Sequence, residues 1–193
     1  MTFAADRDSR RTQPPPLRSG LIGRCSRLPH SVVEAEGPPT GRVTTPEEVF
    51  LNNTPTLSHS DAVVVLHAIK GELERRNKGA AVAIVDDHGE LLAFVRTDGC
   101  KLPSINIAMN KAYTAAREQD ESLVVGERSR TEGFPMTNYG ELRYVSWGGG
   151  FPLIVDGRVV GAVGVSGLPE AEDMELAQLG IAAFESNLAA GPG

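Results

Sequence analysis

Ala62, Leu66, Ile69 and Leu73 recur at helical spacing behind Ser58. Positions three and four apart share one face, so the spacing predicts an amphipathic helix over about 58–78. Ser58 is its expected N-cap, with Asp61 three positions on and Leu57 placed to pack against Ala62. Gly79 is expected to end it. The pattern then changes. AVAIVDDHGELLAFVRTDG, 81–99, reads as strand, polar turn, strand. A second helix is expected from Pro103, with Ile105, Ala108, Ala112 and Ala115 on its small, apolar face. A shorter one is expected over about 121–130. Residues 131–143 are polar and contain glycine, so they read as a loop long enough to bind something. WGGGFPLIVDGRVVGAVGVSG, 147–167, gives the sharpest local signal. Asp156-Gly157 between two apolar runs predicts a tight hairpin. A last helix is expected over about 169–188. Glu170, Glu172, Asp173 and Glu175 suit its positive N-terminal dipole, and Met174, Ala177, Ile181, Phe184 and Leu188 are expected to face inward. Sequential hairpins imply an α+β domain of the α/β class, an antiparallel sheet covered by helices.

Residues 1–45 carry Pro14-Pro15-Pro16 and Pro38-Pro39 and no apolar period. They read as a flexible Pro/Arg-rich extension, and 46–193 as the domain. Ordering such an arm costs ~1–2 kcal/mol per residue, so it would need a partner surface such as another subunit. The 193-residue length leaves room for one core. A net charge of −6 argues against nucleic acid as a partner. No apolar run reaches the ~20 residues that span a bilayer, and the first twenty residues lack the apolar core of a secretory leader. A cytoplasmic location is therefore expected. Two cysteines, Cys25 and Cys100, fit a reduced compartment. No Cys/His cluster has metal-ligand spacing, so no metal is expected.

The ordered motifs resemble a known family. They include Leu57-Ser58 with Asp61-Ala62, Ala83-Ile84-Val85-Asp86 with Gly89, and Arg96, Asp98 and Gly99. Lys111-Ala112 with Thr114-Ala115 follows. Gly148-Gly149-Gly150, Pro152, Asp156-Gly157, Val160-Gly161 and Gly164 to Gly167 complete the series. Over about 57–190 the chain resembles the GlcG/HbpS family, formerly grouped as DUF336, which includes the C-terminal domain of PduO-type proteins. The resemblance implies a profilin-like or PAS-like fold, often oligomeric. It links the chain to haem binding, corrinoid-related gene clusters and small-molecule catabolism. The cofactor stays open, with haem as a candidate.

Several residue types could carry chemistry. Lys111 sits among small residues, where a lysine can anchor an anion or act as base or nucleophile. The alternatives are a solvated lysine or a pair with Asp98 or Asp86. Ser104 and Thr114 stand on the same helix and are counted as ligand-binding. Gly148, Gly149 and Gly150 could present amides as an anion nest or oxyanion donors, or could simply turn into a strand. Arg96 could clamp a carboxylate with Asp98 as base, or the two could pair structurally. Phe134, Met136, Tyr139, Tyr144 and Trp147 could wall a pocket for a planar ligand, or belong to core or an interface. His59 and His67 are candidate haem ligands, without an attachment motif. These signals converge on one expected site of Lys111, Asp98, Arg96 and the glycine backbone, near a subunit interface. Small-ligand binding, with self-association as a homo-oligomer, is the leading reading. A cofactor-independent catabolic enzyme for a small anionic or aromatic compound, using Lys111 and Asp98, is the alternative. An accessory structural subunit is a third.

Overall fold

The computed structural model describes residues 54–191. The expected extension at 1–45, with Cys25 and His30, lies outside the described residues. Helix α1 spans His59–Arg75. Strands β1, Ala81–Asp86, and β2, Leu91–Arg96, follow. Then come helices α2, Pro103–Glu118, and α3, Ser122–Glu132, and a short 3-10 turn at Met136–Tyr139. Strands β3, Gly150–Val155, and β4, Arg158–Ser166, lead into helix α4, Glu170–Ala190. The strands form one antiparallel sheet in the order β2-β1-β4-β3.

Local chemistry accounts for the element ends. The Ser58 hydroxyl accepts the Asp61 amide at 3.1 Å and caps α1. The β3–β4 turn places Asp156 at φ 50° and Gly157 at φ 75°, the left-handed pair a two-residue hairpin needs. Helix α1 ends earlier than expected. Asn77, not Gly79, takes a left-handed φ of 51° there. Gly79 is needed for contact instead, since a Cβ on it would meet the backbone of Asp98 and Cys100. Part of the expected 131–143 loop winds into the 3-10 turn, where Tyr139 stacks on Tyr144 at 4.2 Å between ring centroids. Leu188 is 44% exposed rather than inward, because the contact stripe of α4 ends at Phe184.

The two faces of the sheet differ in side-chain size. Val82, Ile84, Phe151, Leu153, Val163 and Val165 form one core layer with α1 and α4. Ala81, Ala83, Val85 and Ala162 face the alanines of α2. Successive strand residues alternate between faces, so β1 sends its alanines one way and Val82 and Ile84 the other. The small face lets α2 descend onto the sheet. A Cβ on Gly164 would collide with the Ala108 carbonyl oxygen, and one on Gly150 with that of Lys111. These glycines admit a helix backbone.

Candidate functional site

The seating of α2 fixes Lys111. Its side chain is 3% exposed, and its Nζ donates to the Val165 carbonyl at 2.8 Å and to Asp173 Oδ2 at 2.9 Å. Asp173 stands in the first turn of α4, and its Oδ1 accepts the Leu168 amide at 3.1 Å. One buried ion pair therefore ties α2, the end of β4 and the start of α4. Burial pushes the Asp173 carboxyl up, against the opposing pull of Lys111 and the backbone amides at Leu168 and Gly167.

A cavity of about 420 Å³ opens onto this pair. Ser104, Ser166 and Glu170 add polar groups, and Ile107 and Trp147 add apolar wall. Trp147 is 57% exposed at its edge. An ammonium group has three N–H bonds. Described protein oxygens accept two of them, and the third has no protein acceptor among the described residues.

The structure brings some expected residues together and separates others. Lys111 and Ser104 share the cavity, and the space a Gly149 Cβ would fill lies 3.0 Å from Lys111 Nζ. The Gly148 amide donates to Glu170 Oε1 at 2.7 Å, and the Gly150 amide to Ser122 Oγ at 3.0 Å. The Ser122 hydroxyl in turn donates to the Trp147 carbonyl at 2.6 Å. Two amides of the expected nest are thus taken by side chains. Thr114 is fully buried, donating to the Asn110 carbonyl and accepting the Val145 amide, so it clasps a loop.

Arg96 and Asp98 are not beside Lys111. They line another cavity with Lys70, Glu74 and Lys78 of the α1 end. The strand order gives the reason. Arg96 ends edge strand β2, and β1 stands between it and the β4 carbonyl that Lys111 binds. At ~4.8 Å per strand, that separation is about 10 Å. The lysine's partner is Asp173, not Asp98 or Asp86. The aromatic group also divides. Trp147 joins the Lys111 cavity, while Tyr144 and Tyr139 stack on each other and Tyr113 meets Tyr144 edge to face, 5.4 Å between ring centroids.

The missed residues are Asp173, Glu170 and Ser166. Asp173 had a signal. It falls on the same α4 stripe as Leu176, Ala177, Gly180 and Phe184, an inward position for a charge. An acid on an apolar stripe asks for a buried partner.

Residues 57–182 match the family described as Haem degrading protein HbpS-like. Protein GlcG of Escherichia coli strain K12 is 37% identical over 117 residues, covering 57% of this chain and 81% of that protein. The solved complex of PduOC with haem has a TM-score of 0.62 at 28% identity, covering 66% of this chain and 94% of that one. The crystal structure of HbpS has a TM-score of 0.63 at 26% identity, covering 72% and 96%. With the matched region spanning well over half of its length, this chain belongs to the HbpS-like family.

Proposed function

We propose that this chain is a small-ligand-binding protein and that its ligand occupies the Lys111 cavity. Family membership and the haem complex of a structural neighbour support a haem-binding-like, small-ligand role. The observation that carries the site is the buried ammonium with one N–H left over, beside two serine hydroxyls and a half-exposed indole. Asp173 neutralises Lys111, and Glu170 adds a further negative charge, so the cavity does not favour a strongly anionic ligand. It suits a small molecule with one carbonyl or carboxyl oxygen for Lys111 and a flat or apolar part against Trp147 and Ile107.

Haem does not fit this cavity. No imidazole, thiol or thioether among the described residues lines it, and His59, His67 and His88 are exposed elsewhere. Haem binding by this chain would take its axial ligand from outside this cavity, so the two ligands are separable. Native mass spectrometry of the purified protein and a hemin titration at the Soret band test this. The expected result is a bound molecule lighter than haem, lost in Trp147→Ala. Hemin as the only ligand, unaffected by Trp147→Ala and lost in His67→Ala, would move the function to the surface.

The enzyme reading keeps one observation in its favour. A carboxyl raised by burial next to an amine, both lining the cavity, supports acid–base chemistry on a bound molecule. Turnover of the bound molecule during incubation would decide for it. Self-association is proposed as well, and light scattering of the full chain tests it. Among the described residues, no helix is long and apolar enough to cross a membrane.

A further inference from the structure

Helix α2 presents three faces. Ala108, Ala112 and Ala115 meet the sheet, and Ser104, Ile107 and Lys111 meet the first cavity. Asn106, Met109, Asn110 and Tyr113 form the third face, and they line a second cavity of about 460 Å³. Positions 106, 109/110 and 113 recur at helical spacing, so these side chains stand in one row. Leu91, Leu142 and Arg143 close the opposite side.

Four observations here go unused by the first site. The Arg143 guanidinium carbon lies 3.8 Å over the Tyr113 ring, a stacked cation. Glu141 at 3.0 Å and Glu90 at 3.4 Å hold that guanidinium in place. Leu142 is 89% and Leu91 50% exposed, so the rim offers apolar surface to water. Asn110 accepts Thr114 through its backbone carbonyl, which leaves its carboxamide available, and Asn106 is exposed one turn away. Asparagine is a poor helix former, so two of them in one row along a cavity are not explained by helix stability.

We propose that this second cavity binds a small, neutral, planar heteroaromatic molecule. Its ring extends the stack begun by Tyr113 and Arg143. Leu91, Leu142 and Met109 cover its apolar surface. The Asn106 and Asn110 carboxamides, each both donor and acceptor, read a polar ring edge. Glu90 and Glu141 offset the Arg143 guanidinium and the more distant Arg117, 5.9 Å from the Tyr113 ring centre, so the group carries no excess positive charge that would call for an anionic ring.

Lumichrome, a neutral tricyclic heteroaromatic with its own fluorescence, is the probe. The full chain is expected to quench it saturably at one site. Asn106→Leu combined with Asn110→Leu is expected to weaken binding about tenfold or more, the loss of one to two hydrogen bonds. Arg143→Leu is expected to weaken it similarly, and Trp147→Ala, at the other cavity, to leave it unchanged. No saturable quenching, or equal affinity in all variants, would overturn the proposal. Loss in Trp147→Ala alone would also overturn it, by placing the probe in the Lys111 cavity.

Discussion

Lys111 and Asp173 shield each other from water, with side chains 3% and 4% exposed. Removing one partner of such a pair leaves a buried, uncompensated charge, which costs ~3–5 kcal/mol. Lys111→Met is therefore expected to lower stability by about that much in urea denaturation. A solvated lysine would contribute ~0–1 kcal/mol. Adding Asp173→Leu to Lys111→Met is expected to restore part of the loss, because it removes the uncompensated charge but leaves the Leu168 amide without its acceptor. If the double variant is no more stable than the single one, the pair is not the unit that matters. The sequence marked Lys111 by its small neighbours but pointed to Asp98 or Asp86 as a partner, not to Asp173. The partner lies 62 residues on, and three other acids crowd the same end of α4. Only its place on the apolar stripe sets Asp173 apart from Glu170, Glu172 and Glu175.

At the scale of elements, the site depends on how closely α2 approaches the sheet. Gly164→Ala pushes a methyl into the Ala108 carbonyl, and neither backbone can move without shifting a helix or a strand. A loss of ~2–3 kcal/mol or more is expected, visible in thermal unfolding. Gly71→Ala is the control. It lies in α1 with nothing within 4 Å of the added Cβ, so a gain of about 0.5–1 kcal/mol is expected. Helices α1 and α4 are joined differently. Arg76 bonds Glu72 within α1 and Glu175 on α4. Hydrogen bonds from Arg75 and Arg76 lower the Glu72 carboxyl from 4.5 to about 2. A depressed carboxyl stabilises the fold above its unfolded value and loses that contribution as pH falls. The acid limb of a stability–pH curve between 4.5 and about 2 should therefore be shallower in Glu72→Gln. An unchanged limb would show that these exposed bonds are broken in solution.

Across the whole molecule, the order of elements was legible because each has a local signature. Asp156-Gly157, Ser58 and Pro103 act over a few residues, and alternating small and large residues mark the two faces of β1. The site was half legible for the opposite reason. Which residues meet across it depends on strand order, and β1 enters between β2 and β4, removing Arg96 and Asp98 from Lys111. The same topology leaves α2 as a wall between two cavities, with Trp147 beside one and Tyr113 beside the other. Trp147 is the chain's one tryptophan and is 57% exposed. Its emission therefore reports one cavity only. A ligand in the Lys111 cavity covers the indole and is expected to shift its emission to the blue, and Ser104→Ala is expected to weaken that ligand. A molecule in the Tyr113–Arg143 cavity should leave tryptophan emission unchanged and alter tyrosine fluorescence alone. Titrating each ligand while following both signals tests the division. A common response of tryptophan and tyrosine to either ligand would mean that α2 moves as a body between the cavities. The two sites would then be coupled through that helix rather than separated by it.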